Sequence, residues 1–252
     1  MAGLRAAVLA AGRGTRIGAD LPKTLVPVGP HHGLLHYLLE GLKAAGISEV
    51  LIVTGFNPDA VMEFATKKWG EEGLTFVFNA RYASWGNFHS LRLALDQSPG
   101  ADVLVVNSDI VISHQVFGRV REAWGDLVLA VQRRNDLDEE DMRVELEDSR
   151  VVAIGKSLKM VRSHGEYAGV SLLRPEAARL YLDIASDLEW RAETSLYYED
   201  VFARMIGAID VRAAEVGPGE YAEVDVPEDF ALARQVIETS AVTPTSTAVA
   251  SP

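Results

Sequence analysis

Leu9-Ala10-Ala11-Gly12-Arg13-Gly14-Thr15-Arg16, followed by Leu21-Pro22-Lys23-Thr24-Leu25, is the stretch on which the fold turns. Arg5 to Ala10, leading into it, has the length and apolar content of a strand buried on both faces. A glycine-rich segment directly after such a strand lets backbone N–H groups approach phosphate oxygens without obstruction by Cβ. Arg13, Arg16 and Lys23 add charge for a triphosphate, the arginines as forked donors and the lysine as a point charge. The same residues also fit a tight surface turn with solvated bases. No Gly-Lys-Ser/Thr closes the segment, so it is not a Walker A loop. Gly12, Gly14 and Gly18 only approach the dinucleotide-binding spacing.

Downstream, strand and helix patterns alternate. Leu34 to Ala45 reads as a helix closed by Gly46, Glu49 to Thr54 as a strand, and Pro58 to about Lys68 as a helix. Leu74 to Phe78 is a third strand, Phe88 to Asp96 a helix, and Asp102 to Asn107 a fourth strand. This alternation predicts a mostly parallel sheet covered by helices on both faces. The pattern then changes: Leu127 to Val131, Met142 to Leu146 and Val151 to Ile154 are strand-like with short turns, as in a mixed sheet or β insertion. Tyr167 to Leu173 is a strand, Pro175 to Ser186 and Ser195 to Ile206 are helices, Ile209 to Val216 is a strand, and Pro227 to about Glu238 is the last helix. Residues 1–238 are expected to form one domain, and the Thr/Ser/Pro/Ala-rich stretch 239–252 a disordered tail.

Composition narrows the function. A net charge of -12, from 24 basic and 36 acidic residues, disfavours extended nucleic acid but admits a small anion accompanied by magnesium. The absence of cysteine excludes disulfides, thiolate metal sites and cysteine nucleophiles, and fits a cytoplasmic protein. Apolar runs are strand-sized, so no membrane span is expected, and the N-terminal run reads as a core strand rather than a leader.

Asn107-Ser108-Asp109 ends the fourth strand, at the carboxyl edge where open α/β sheets place ligands. A carboxylate there suits either magnesium or the cap of a following helix. Glu223-Val224-Asp225-Val226-Pro227-Glu228-Asp229 offers a second such carboxylate, with Glu228 and Asp229 read as caps only. Gly86-Asn87-Phe88-His89-Ser90 opens a helix, and Asn87 and Ser90 are either nucleobase contacts or N-terminal caps. The six histidines are read as nowhere forming a His-x-x-x-His metal pair, with His31 and His32 in a loop and His89 at the surface.

Leu9-Ala10-Ala11-Gly12-Arg13-Gly14-Thr15-Arg16 with Pro22-Lys23 resembles the signature of the nucleotidyltransferase family that makes nucleotide sugars and CDP-alcohols. The resemblance covers about Arg5 to Glu238 and implies a Rossmann-like, three-layer α/β fold with a small β-rich part that binds the acceptor. It implies that the glycine loop and Lys23 hold the NTP phosphates and that Asp109 and Asp225 ligate Mg2+. Leu9, Ala10, Ala11, Gly12, Gly14, Thr15, Arg16, Asn87, Ser90 and Asn107 become the expected nucleotide contacts. Val151 to Lys156, Gly165 to Val170 and Tyr197 to Phe202 resemble the cytidylyltransferases for phosphocholine, inositol phosphate and phosphonates. Gly155-Lys156-Ser157 stands where the glucose-1-phosphate enzymes carry Glu-Lys-Pro, which disfavours a hexose acceptor. The expectation is therefore CMP transfer from CTP to a small phosphorylated or phosphonylated alcohol or amine. Lys23, Arg13 and Lys156 would neutralise charge, and Trp85, Trp190, Tyr198, Glu199 and Asp200 would surround the acceptor. A sugar-1-phosphate uridylyl- or thymidylyltransferase and a non-catalytic nucleotide sensor remain the alternatives. Monomer and homodimer both stay open.

Overall fold

Strand β1 (Leu4–Ala10) buries Ala6 to Ala10 without a break, which requires cover on both faces. The computed structural model describes residues 3–14, 21–28 and 32–240, and supplies that cover. After a short 3-10 turn at Lys23–Leu25 come α1 (Leu34–Ala44), β2 (Val50–Thr54), α2 (Pro58–Trp69), β3 (Leu74–Phe78), α3 (Phe88–Asp96) and β4 (Asp102–Asn107). Strands β1 to β4 are parallel in the order β3-β2-β1-β4, half of a doubly wound sheet.

Next come β5 (Ile110–Ile112), α4 (His114–Glu122), β6 (Leu127–Gln132), β7 (Arg143–Glu147), β8 (Arg150–Ile154) and β9 (Gly165–Leu173). Helices α5 (Pro175–Trp190) and α6 (Tyr198–Met205), strands β10 (Val211–Val216) and β11 (Tyr221–Glu223), and α7 (Phe230–Ser240) complete the described chain. Strand β9 is inserted antiparallel between β4 and β6, giving the nine-stranded order β3-β2-β1-β4-β9-β6-β10-β8-β7. Only β8 and β9 run against the other seven strands. The change of pattern after Leu127 is thus a mixed sheet continuing the first half. The β7–β8 hairpin, turned by Asp148 at φ 53°, forms the far edge.

Alternate residues of the central strands feed two cores. Ala7, Leu9, Leu51 and Val53 pack with α3, α5 and α6, while Ala6, Val8, Val50 and Ile52 pack with α1, α2 and α4. The result is the three-layer α/β fold expected. Strands β5 and β11 form a separate two-stranded sheet, packed with α7 through Val111, Ala222, Val224, Ala233 and Val236. Helix α5 runs four residues beyond the expected Ser186, and α6 begins at Tyr198 instead of Ser195. The expected tail begins inside α7, and residues 241–252 lie outside the described residues.

Candidate active site

The loop after β1 turns across the ends of the parallel strands. Gly14 sits at φ 67°, and a Cβ there would lie 2.3 Å from Lys23 Cβ, so only glycine lets the two segments cross so closely. Lys23 reaches the carboxyl end of β4, where its Nζ donates to Asp109 Oδ2 at 3.0 Å and to Asp225 Oδ1. Burial alone would push the Lys23 ammonium down, but the Asp109 and Asp225 carboxylates outweigh it and hold its pKa above the ordinary value.

Asp109 and Asp225 meet because β11 pairs antiparallel with β5, with Glu223 opposite Ile110 and the Val224 N–H donating to Asp109 O at 2.9 Å. That register also delivers Glu223. Ligand oxygens of Asp109, Glu223 and Asp225 lie within 4.8 Å of one another, the one group among the described residues that could hold a metal. Glu223 is exposed over much of its surface, but desolvation of its carboxyl and then the Asp109 and Asp225 carboxylates raise its pKa above the ordinary value. Sequence reasoning missed Glu223, although it stands two residues before Asp225. Asp229 accepts from the backbone N–H groups of Asp225 and Val226 at 2.7 and 2.9 Å, the capping role expected of it.

Two cavities adjoin this cluster and share Gly12, Lys23, Asn87, Asn107 and Asp109 in their walls. The smaller, about 170 Å³, is lined also by Leu9, Ala11, Asn79, Tyr82, Trp85, Gly86, Ser90 and Ser108. The larger, about 1050 Å³, reaches Lys156, Glu166, Tyr197 and Glu199. Lys156 Nζ lies 3.1 Å from Glu140 Oε2 and 6.0 Å from the Tyr197 ring centroid. Arg134 is tied to Asp141 at 2.7 Å and Glu166 at 2.9 Å on the same wall. Glu199 is 5% exposed, and its Oε2 is buried without a hydrogen-bond partner. Burial is the main cause that raises its pKa to about 7.

Several expected contacts fall elsewhere. Trp85 lies in the small cavity beside Ser90, apart from Glu199 in the larger one, because it precedes α3 and stacks on Phe88. Tyr198 is fully buried beneath both cavities: its hydroxyl bonds Asn107 Oδ1 at 2.8 Å and Tyr167 at 3.1 Å, and its N–H donates to Asn87 Oδ1 at 2.9 Å. Its neighbour Tyr197 faces the larger cavity instead. Asp200 accepts the Tyr197 N–H at 2.8 Å and caps α6. Trp190 is 89% exposed on the last turn of α5 and lines neither cavity, because that helix overruns its expected end. Arg13 stacks its guanidinium 5.0 Å from the Phe56 ring centroid and also lines neither. Ala10 is sealed inside β1, and Thr15, Arg16 and His31 lie outside the described residues. His89 is buried 2.7 Å from Glu189, not at the surface. His32 and His36, four apart, stack at 3.7 Å, so a His-x-x-x-His pair does exist.

The glycine turn after β1, the lysine bridging two carboxylates and the adjoining cavities lie together at the strand ends, in a chain whose relatives are nucleotidyltransferases. The MobA-like NTP transferase domain matches residues 6–179, and the chain belongs to that family. It is 26% identical over 241 residues to the choline-phosphate cytidylyltransferase of Streptococcus pneumoniae, covering 93% of this chain and 99% of that one. Over 136 residues it is 36% identical to the CMP-5'-(3-aminopropyl)phosphonate synthase of Streptomyces rubellomurinus, covering 52% of this chain and 21% of that longer one. Mannose-1-phosphate guanylyltransferases are also among its relatives. In fold it is similar to the inositol-1-phosphate CTP transferase of T. maritima, with a TM-score of 0.79, 21% identity, and 94% and 98% of the two chains covered. None of the described helices is long and apolar enough to cross a membrane.

Proposed function

We propose that this nucleotidyltransferase moves CMP from CTP to a small phosphorylated or phosphonylated alcohol or amine and releases pyrophosphate. The observation that carries the reading is the pair of cavities meeting at Lys23 and Asp109, the larger lined by ten carboxylates against four cations. Such a wall favours an acceptor that brings an ammonium over one that brings only hydroxyls and phosphate.

In this reading the small cavity takes the nucleobase, and the Gly12–Gly14 turn and Lys23 take the phosphates. Lys156 receives the acceptor's phosphate or phosphonate, and Glu199 with the Tyr197 ring receives its cationic head. Asp109, Glu223 and Asp225 offer the hard oxygen donors that magnesium prefers, and Asp109 Oδ1 is buried without a partner, so the donor set fits that ion. Bound there, Mg2+ would supply positive charge to the phosphate oxygens.

The acceptor oxygen is already anionic near neutral pH, so no general base is needed. It attacks the α-phosphorus in line, the bond to the β-phosphate oxygen breaks, and pyrophosphate carries away the electron pair. The chain's own work is to orient the two substrates and neutralise charge.

The test is pyrophosphate release with each of four NTPs against phosphocholine, an aminoalkylphosphonate and glucose-1-phosphate. Activity with CTP and an amine-bearing acceptor is expected. Robust turnover of UTP with glucose-1-phosphate would overturn the reading, and tight NTP binding with no turnover would point to a sensor.

A further inference from the structure

Asn79 follows β3, is 1% exposed, and both ends of its carboxamide are engaged. Its Oδ1 accepts the Arg81 backbone N–H at 2.8 Å, and its Nδ2 meets Ser90 Oγ at 2.9 Å in a buried contact. A backbone N–H can only donate, so the atom facing Arg81 must be the oxygen, and the atom facing Ser90 must be the amino group. Ser90 Oγ is therefore the acceptor in that bond, and its own proton points elsewhere. Ser90 is 4% exposed and lines the small cavity with Leu9, Tyr82 and Trp85.

We propose that Asn79, by donating to one Ser90 lone pair, leaves the hydroxyl proton free for the nucleobase, biases Ser90 toward the donor role, and so favours cytosine over uracil. The inference rests on the CTP reading and gives it a physical cause. Cytosine N3 is an acceptor and pairs with a donor, whereas uracil carries N3–H at the same place and opposes it. A buried site built around one polarity rejects the opposite one because both groups would be left unpaired. Asn79 acts through Ser90 and is a positioning residue; Ser90 touches the base.

Asn79→Asp tests this with almost no change of shape. The carboxylate keeps the Arg81 N–H, but its second oxygen can only accept, so it takes the Ser90 proton and turns a hydroxyl lone pair toward the cavity. The ratio of kcat/KM for CTP to that for UTP should fall by about 10-fold or more. Asn79→Ala frees the hydroxyl to rotate and Ser90→Ala removes it; both should lower the ratio by a smaller factor, and they decide the matter if the buried carboxylate prevents folding. A wild-type enzyme indifferent to CTP and UTP would remove the CTP reading itself. A selective wild type whose three variants lose rate equally with both nucleotides, leaving the ratio unchanged, would overturn the role of Asn79 alone.

Discussion

Lys23 is central to the charge balance of the site, because its ammonium bridges Asp109, just after β4, and Asp225, just after β11. Lys23→Met keeps most of the side-chain bulk and removes the ammonium, leaving Asp109, Glu223 and Asp225 to repel one another. A fall in kcat of about 100-fold is expected, the usual size of one lost transition-state charge contact. Near wild-type turnover at saturating CTP and magnesium would rule out its role on the phosphates. Glu199 makes a prediction of a different kind. Its folded pKa of about 7 lies above the ordinary 4.5, so its contribution to stability is complete below about pH 4.5 and is lost as pH rises through about 7. The gap corresponds to about 3 kcal/mol at full ionisation, an upper bound for a buried group that can relax. Glu199→Gln should therefore melt higher than the parent at about pH 8 and alike near its unfolded pKa. The KM of a cationic acceptor should fall with rising pH in the parent and stay flat in the variant. Identical melting curves at both pH values would show that Glu199 does not titrate in this range.

Helix α6 and the segment before it tie the cavities together. Gly86 N–H donates to Thr194 O at 2.7 Å, and a Cβ on Gly86 would lie 1.8 Å from Leu196 O. Gly86→Ala must therefore push residues 194–198 off the start of α3, disturbing Asn87 on one side and Tyr197 on the other. The KM for CTP and for the acceptor should both rise; a rise in one alone would mean that the segment does not span the two cavities. Asp200 lies one residue from Glu199 but serves the helix. Asp200→Ala should cost about 1 kcal/mol of stability through the lost cap and leave the acceptor KM unchanged. A raised KM without loss of stability would return Asp200 to the acceptor site.

Across the molecule, β9 stitches the two parts of the sheet into one hydrogen-bonded surface, which supports reading the described chain as a single domain. Far-UV circular dichroism and fluorescence from the four tryptophans should then follow one denaturation curve, and two separated transitions would contradict that reading. The βαβ half is legible in the sequence because each strand between Leu4 and Asn107 is a short, mostly apolar segment, set off by the helical patterns between them. Three-residue strands such as β5 and β11 are too short to show a period, and α4 offers only Val116, Phe117 and Val120 as buried positions. Lys23 stands out beside its glycine-rich turn, and Asp109 and Asp225 are singled out as a pair by the resemblance of their segments to the family's. Glu223 is not, because its place depends on a pairing between residues more than a hundred apart. The same distance hides the difference between Tyr197 and Tyr198, adjacent residues of which one faces the cavity and the other lies under its floor.

The antiparallel insertion of β9 also has a consequence for how the chain is made. Until residues 165–173 leave the ribosome, the wound N-terminal half presents the whole length of β4 as an unpaired edge. That edge carries Val103, Leu104, Val105 and Val106, a valine-rich apolar run of the type that recruits foreign strands. The newborn protein thus passes through an interval in which an aggregation-prone strand waits for a partner some sixty residues downstream, about 3–12 s at ordinary elongation rates.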